Sequence, residues 1–271
     1  MKMPELPEVE TVRRILHKQI ENKIIVDLIS PYQAIIKNDF LEFKKNILNK
    51  TIIAVDRAGK YLIFVLNQGF ILIHLRMEGK FYLKPFEEGL DKHEHVIFYL
   101  HDQSLRYHDV RKFGTIEYFE TKEAVKEYLR TRLGPEPSEL EPNYLFEKIK
   151  QKKQPIKTTL LDQSVIAGLG NIYVDEVLFL SKIHPLAQGV DLTEDDAKRI
   201  VINAKKVIDE AIELGGTTIR SYTASLGVTG RFQTKLKIHL KKGEPCVVCG
   251  TIIEKIKVGG RGTYVCQNCQ N

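Results

Sequence analysis

The spacing of hydrophobic and polar positions changes along the chain. Between residues 4 and 22, Val9, Val12, Leu16 and Ile20 recur at helical spacing, and Pro4 and acidic residues occupy the first turn. This pattern predicts an amphipathic helix with one apolar face.

Short β-rich runs follow this helix and extend to about residue 119. Turn residues separate them, as in an antiparallel sandwich or barrel. The sequence predicts seven strands, at residues 24–29, 51–55, 61–66, 70–75, 81–84, 96–100 and 115–119.

The second half of the chain is predicted to be mainly helical. Leu-Gly-Pro-Glu-Pro at 133–137 marks a boundary, and helical periodicity returns at residues 144–150, 156–163, 172–180 and 195–214. Residues 221–233 have few apolar positions, and we interpret them as a mobile loop. We therefore expect an α+β multidomain protein with domains at 4–120, 138–234 and 235–271 and a linker at 121–137.

All four cysteines lie in the last 26 residues, as the pairs Cys246/Cys249 and Cys266/Cys269. Two such pairs can close on one metal ion, and four sulfur ligands favour a structural zinc ion with no open position. Redox cysteines or disulfides are the alternative, which is less favoured because a redox motif needs one pair. We expect a C-terminal four-cysteine zinc ribbon whose hairpin surrounds residues 259–262.

The net charge of +6 is concentrated in the same region. From Arg231 onward, eight Lys or Arg residues stand against Glu244 and Glu254, whereas the first 230 residues are balanced. A basic zinc module on a neutral body indicates a polyanionic partner. No apolar run approaches the roughly 20 residues that span a bilayer, and the start has no signal-peptide pattern. We expect a cytoplasmic protein with no membrane partner and no oligomer.

Two glycine-rich segments could bind phosphate. Arg261 lies among three glycines, so the backbone can approach a ligand while the guanidinium reaches it. Gly168-Leu-Gly170-Asn171 precedes a predicted helix, and such a start exposes backbone N–H groups. A simple turn and ordinary helix packing are the respective alternatives. Five lysines just upstream could line the same groove: Lys148, Lys150, Lys152, Lys153 and Lys157.

The N-terminal segment, Pro-Glu-Leu-Pro-Glu-Val-Glu-Thr at 4–11, resembles the opening of formamidopyrimidine-DNA glycosylase, a bacterial family that excises oxidised purines. The resemblance covers nearly the whole chain, including Lys60 in an Arg-x-Gly-Lys block and the ribbon that ends with Arg261. It implies a β-sandwich with a leading helix, a helix-two-turn-helix domain and a zinc ribbon. Its partner would be duplex DNA with oxidised bases or abasic sites.

The resemblance also implies roles for individual residues. Pro4 would be the nucleophile, Glu5 would transfer protons, and Glu8 would support the site electrostatically. Lys60 would act in β-elimination, and Arg261 would hold a phosphate and serve δ-elimination. Eight further residues would bind DNA or line the lesion pocket: His74, Met77, His93, Arg111, Phe113, Lys152, Lys157 and Asn171. Met77, Arg111 and Phe113 would fill the space left by the extruded nucleotide. Without the resemblance, core packing is the favoured interpretation of Met77 and Phe113.

Two positions depart from the family pattern. The chain starts Met-Lys-Met, so Pro4 is not second, and an amide-bonded proline nitrogen cannot attack carbon. We expect Met3 to be the true start and to be removed. The other departure is Lys-Ile-His-Leu at 237–240, where the family commonly has a Tyr-Gly near the ribbon entry, and it concerns local packing alone.

Two other functions stay open at this level. An endonuclease VIII-like enzyme would prefer oxidised pyrimidines, although Leu6 and the long 221–233 segment fit the purine branch better. A non-catalytic zinc-ribbon protein would bind DNA in a salt-sensitive manner without cutting it.

Overall fold

The computed structural model describes residues 4–217 and 230–270. They form two compact units, residues 4–131 with Gly230, and residues 132–217 with residues 231–270. Each unit contains its own cluster of buried apolar side chains. Within the described residues, no helix is both long enough and apolar enough to span a membrane.

Helix α1 and two antiparallel sheets build the first unit. Helix α1 covers Leu6–Ile20 and buries Val9, Val12, Leu16 and Ile20, as predicted. The strands are β1 Asp27–Ile29, β2 Ile52–Ala58, β3 Tyr61–Leu66, β4 Phe70–His74, β5 Lys80–Lys84, β6 Glu94–Tyr99, β7 Ser104–His108 and β8 Thr115–Phe119. One sheet has the order β1-β6-β7-β5 and the other β2-β3-β4-β8.

A single apolar core joins α1 to both sheets. Phe64 of β3 contacts Phe81 of β5 and Phe98 of β6, with ring centroids 5.6 and 6.4 Å apart. Aromatic side chains from the two sheets therefore meet in one interior, as in a sandwich. The predicted fold class is confirmed.

The sequence prediction misses β7 and two helices, α2 at Phe40–Ile47 and α3 at Lys122–Arg130. Strand β7 contains Arg106, a charged residue that is buried because it pairs with Glu94 at 3.1 Å. Helix α3 lies inside the segment 121–137 that the sequence analysis predicts as a linker. Thr121 caps α3, and Val125 is the buried residue of this helix. One buried apolar position is too few to give the periodic pattern that predicts a helix.

Four helices and a hairpin form the second unit. The helices are α4 Pro142–Ile149, α5 Ile156–Leu160, α6 Asn171–Ser181 and α7 Glu194–Glu213, close to the predicted positions, although α5 ends three residues early. The hairpin pairs β9 Glu254–Val258 with β10 Arg261–Val265. Its turn has two residues, Gly259 and Gly260, both with positive φ, rather than the predicted four. Arg261 is therefore the first residue of β10.

The predicted loop at 221–233 lies mostly outside the described residues. Its described end returns to the helical unit, where the Phe232 N–H donates to the Gly216 carbonyl at 2.9 Å. The Phe232 ring is buried against Tyr173, with centroids 5.5 Å apart. The last residues of the predicted loop are thus held by both backbone and side-chain contacts.

Leu240 provides a test of backbone strain at the entry to the ribbon. It is 57% exposed and has φ +69°, a conformation that costs an L-residue roughly 1–2 kcal/mol. We expect Leu240→Gly to raise the free energy of unfolding by roughly 0.5–1 kcal/mol, after allowing for the entropy cost of glycine. Denaturant titration of the zinc-loaded protein measures the change. Leu41→Gly, at an exposed position of α2, should lower the same quantity by about 1 kcal/mol; a loss at both positions would contradict the strain argument.

Candidate active site and nucleic-acid interface

A proline and two carboxylates lie together at the start of α1. Pro4 is buried, and the side chains of Glu5 and Glu8 are almost fully buried beside it. The Glu5 backbone N–H donates to Glu8 Oε2 at 3.0 Å, which holds the entry to the helix in one conformation. The positive end of the helix dipole favours negative charge at this position. The first turn thus places a proline and two carboxylates together in a site screened from water.

Glu10 connects α1 to the turn that carries Lys60. Its carboxylate accepts from Arg13 at 2.8 Å, Arg14 at 2.7 Å and Arg57 at 3.2 Å. Burial opposes ionisation of Glu10, but the arginines outweigh it, so the pKa of Glu10 is lowered. Arg57 also donates to the Gly59 carbonyl at 2.9 Å. Lys60 follows Gly59 and is buried.

The ring of His74 has one N–H group that can donate a hydrogen bond. Burial and the nearby charges of Arg76 and Lys60 lower the pKa of His74 to about 3, so the ring is neutral at neutral pH. Its Nδ1 accepts the Arg76 backbone N–H at 3.0 Å. The proton of the neutral ring is therefore on Nε2, where it can serve a phosphate oxygen.

Three residues expected to enter the base stack lie together on the surface, and we call Met77, Arg111 and Phe113 the wedge residues. Phe113 is 52% exposed, which excludes the core-packing alternative for it. The Arg111 guanidinium lies 4.7 Å from the Phe113 ring centroid, and its Nη1 contacts Met77 Sδ at 2.9 Å. The group is already assembled in the protein alone.

Asp109 and Tyr107 support the wedge residues from below. The fully buried Asp109 carboxylate accepts the backbone N–H groups of Arg111 at 3.0 Å, Phe113 at 2.9 Å and Gly114 at 2.8 Å. A side chain at Gly114 would overlap the Tyr107 hydroxyl, so glycine is required there. Sequence reasoning missed both supporting residues, although Asp109 lies only two residues before Arg111.

His93 ends the segment between β5 and β6. Its ring centroid lies 5.5 Å from that of His108, and its backbone N–H donates to Asp91 at 2.8 Å. The segment is organised by the buried Arg106, which donates to the carbonyls of Pro85, Glu88 and Gly89 at 2.7–3.1 Å. The segment that ends at His93 is thus held by Arg106, a residue that the sequence around His93 does not predict.

The second unit brings Asn171, Lys157 and the hairpin together. Asn171 Nδ2 donates to the Gly262 carbonyl at 3.0 Å, next to the exposed Arg261. Lys152 is exposed, as a phosphate contact requires. Lys157 differs from the expectation of a pocket-lining residue, because its ammonium is fully buried and pairs with Asp175 at 2.7 Å.

The four cysteines have the geometry of a zinc site. Their sulfur atoms all lie within 4.8 Å of one another, with Cys246–Cys269 at 3.9 Å and Cys249–Cys266 at 3.5 Å. A tetrahedron with bonds of about 2.3 Å has sulfur–sulfur edges of about 3.8 Å, whereas a disulfide bond is about 2.05 Å long. The thiols are free, which excludes the disulfide alternative. The site fits one structural zinc ion.

Family models cover most of the chain in the order that the fold displays. The formamidopyrimidine-DNA glycosylase N-terminal domain matches residues 3–116, the H2TH domain of the same enzyme matches 133–223, and the zinc finger found in FPG and IleRS matches 243–271. The chain belongs to the formamidopyrimidine-DNA glycosylase family. The H2TH and zinc-finger matches confirm the predicted helix-two-turn-helix fold and four-cysteine ribbon.

Relatives within this family are similar over their full lengths. The formamidopyrimidine-DNA glycosylase of Bacillus anthracis is 48% identical, with 99% of each chain covered. That of Ligilactobacillus salivarius is 47% identical, again with 99% of each chain covered. Among solved structures, a Lactococcus lactis FPG mutant in complex with Fapy-dG containing DNA matches with a TM-score of 0.94 and 42% identity, over 99% of this chain and 100% of that one. The L. lactis Fpg with abasic-site DNA gives 0.93 and 42%, over 98% and 99%.

Asp109 allows the support of the wedge residues to be tested. In Asp109→Asn, an amide N–H₂ faces backbone N–H donors, so we expect the free energy of unfolding to fall by about 1–3 kcal/mol and lesion DNA to bind more weakly. Denaturant titration and fluorescence anisotropy measure the two effects. Asp102→Asn removes an exposed carboxylate paired with Lys23 and is the control. Normal DNA affinity in Asp109→Asn would contradict the role of Asp109.

The cysteine cluster predicts loss of the ribbon when one ligand is removed. In Cys249→Ser we expect the zinc content to fall far below one ion per chain and DNA binding to be lost, because the ribbon has too small a core to fold alone. Metal analysis and binding to duplex DNA measure these effects. Val247→Ser changes an exposed residue between the same two cysteines and should retain the zinc. Full binding by Cys249→Ser would refute the prediction.

Proposed function

We propose that the protein is a bifunctional DNA glycosylase and abasic-site lyase of base excision repair. Its substrates are oxidised purines, 8-oxoguanine and formamidopyrimidines, in duplex DNA. The observation that carries this proposal is the burial of Pro4 with Glu5 and Glu8 at the start of α1, because the first residues of a domain are ordinarily exposed. The family relationship supports the same reading, and so do the DNA complexes of the L. lactis enzyme. We place the protein's action in the cytoplasm, at the nucleoid, where this substrate lies.

The proposed reaction begins at Pro4. Its free secondary amine forms a bond to C1′ as the bond from C1′ to the base breaks, and the base leaves with a proton. Glu5, which is buried beside Pro4, is suited to transfer protons on the sugar or base. The C1′–O4′ bond then breaks as the nitrogen lone pair forms the second C–N bond, and O4′ takes a proton. The product is an iminium that joins Pro4 to the opened sugar.

Two eliminations then cut the strand. The iminium makes the C2′ proton acidic, and its loss expels the 3′ phosphate. In the second elimination the C4′ proton is lost and the 5′ phosphate is expelled, which leaves a one-nucleotide gap. We assign Lys60 to the first elimination and Arg261 to the second, because one is a buried amine and the other an exposed guanidinium.

DNA contacts would come from both units. We propose that His93, Asn171 and the neutral ring of His74 donate hydrogen bonds to the DNA backbone, and that Lys152 contributes charge. The wedge residues would enter the stack when the damaged nucleotide is extruded, which costs a few kcal/mol. Because these residues are already assembled, little ordering is needed at that moment.

Borohydride trapping tests the proposed chemistry. Protein whose first residue is Pro4 should form a covalent adduct with DNA that contains 8-oxoguanine, since borohydride reduces the iminium to a stable amine. Protein that retains residues 1–3 should form none, because its proline nitrogen is an amide. Absence of an adduct from the trimmed protein would leave only DNA binding, and a preference for thymine glycol would indicate a pyrimidine-specific enzyme.

Lys60→Ala separates chemistry from binding. We expect strand cleavage to fall by about 10²-fold or more, the scale of a lost proton-transfer group, while affinity for abasic-site DNA changes far less. Single-turnover cleavage and equilibrium binding measure the two quantities. Lys50 precedes β2 and Lys60 follows it, so Lys50→Ala is the matched control and should cleave normally. Equal losses of cleavage and binding in Lys60→Ala would argue against a catalytic role.

A further inference from the structure

A buried hydrogen-bond chain leads from α6 to the backbone of Arg261. It starts at Asp175, one turn into α6, whose Oδ1 pairs with Lys157 Nζ at 2.7 Å. Both side chains are fully excluded from water. An ion pair buried this deeply is costly to break, because either partner alone would remain an uncompensated charge. The Lys157 ammonium is therefore held in one place.

Lys157 continues the chain into the hairpin. Its Nζ donates to Thr263 Oγ1 at 2.7 Å and approaches the Gly262 carbonyl at 3.4 Å. The Thr263 hydroxyl donates in turn to the carbonyl of Arg261 at 3.1 Å. Thr263 is fully buried, so water does not compete for these bonds. The carbonyl of Arg261 is thus connected to α6 through two side chains.

The same stretch of α6 also holds the entry to the ribbon. Asp175 Oδ2 lies 2.7 Å from His239 Nδ1. The neighbouring Glu176 accepts the backbone N–H groups of Lys237, Ile238 and His239 at 2.9–3.1 Å. Two consecutive acidic residues therefore fix both the segment that enters the ribbon and the hairpin that carries Arg261.

The hairpin needs such support because its turn is formed by Gly259 and Gly260, the most permissive residue type. The Arg261 side chain is exposed, so the position of its guanidinium depends on the backbone beneath it. Misplacement of a reacting group by about 1 Å can cost up to 10²-fold in rate.

We propose that Asp175, Lys157 and Thr263 are positioning residues for Arg261. They set the direction in which the guanidinium meets the phosphate during the second elimination, and they do not touch the DNA themselves. This inference rests on the proposed function, which assigns Arg261 to that step. In this proposal Lys157 positions Arg261 within the protein, whereas the resemblance implies that it lines the lesion pocket.

Thr263→Val tests the inference with the least disturbance. The change removes the hydroxyl, keeps the side-chain shape and leaves the Asp175–Lys157 pair intact. On abasic-site DNA we expect the ratio of gapped to singly nicked product to fall about three- to tenfold, the size expected for one lost hydrogen bond. Borohydride trapping should stay within about twofold, because the Pro4 step does not use the hairpin backbone.

Two controls accompany this variant. Thr263→Ser keeps the hydroxyl and should restore the product ratio. Thr158→Val removes a buried hydroxyl that lies against Gly259 of the same turn and makes no hydrogen bond within the described residues; it should leave the ratio unchanged. Zinc content and melting temperature verify that each variant is folded. Should Thr263→Val fail that check, Lys157→Met combined with Asp175→Asn removes the two buried charges together and should shift the ratio in the same direction.

The outcomes separate the inference from the proposed function. All proteins in this experiment begin at Pro4. If such a protein with no other change forms no adduct with abasic-site DNA, the proposed function fails. If it forms the adduct and the folded variant keeps its product ratio, the positioning role is overturned. Equal losses of trapping and gap formation in the variant would likewise overturn it, because they would reveal a general structural defect.

Discussion

Buried ions organise the functional segments of both compact units, because a charge removed from water requires a partner of opposite charge or several hydrogen bonds. In the first unit, Glu10 and Arg57 tie the start of α1 to the turn before Lys60. Arg106 gathers the carbonyls of the segment that ends at His93. In the second unit, the buried ion pair of Asp175 and Lys157 holds the hairpin. Each of these buried ions holds its segment through charge pairs and hydrogen bonds from which water is excluded.

The zinc ribbon depends on this support and on its metal together. Its apolar cluster is small, and it includes Phe179 from α6 as well as Ile238, Ile253 and Tyr264. Four sulfur ligands close one end of the ribbon, and α6 holds the other through Asp175 and Glu176. A short basic segment can therefore present Arg261 from a fixed backbone. Without a defined backbone, the same positive charge would attract DNA but would not hold the guanidinium at a fixed position on it.

The elements with a strong local pattern were predictable. The four apolar positions of α1 and the alternation of β3 and β8 gave the correct type and nearly the correct bounds. Strand β7 was missed because Arg106 interrupts its apolar pattern, and the reason for its burial, Glu94, lies twelve residues away. Helix α3 was missed because it buries little. The hairpin was placed correctly, but its turn was two residues shorter than predicted, since register is decided by cross-strand pairing.

The amino-acid sequence alone determined the chemistry that this protein can offer: a proline next to a carboxylate near its start, a lysine after a glycine turn, an arginine among glycines and four cysteines in metal-ligand spacing. These are properties of residue type and local spacing. Only the tertiary structure decided which groups hold others in place. Asp175, Thr263 and Asp109 have no local signature, because their roles come from partners far away in the chain or from backbone groups that folding turns toward them. For the same reason Lys157, one of five similar lysines in the sequence, became a fully buried ion, while Lys152 stayed exposed.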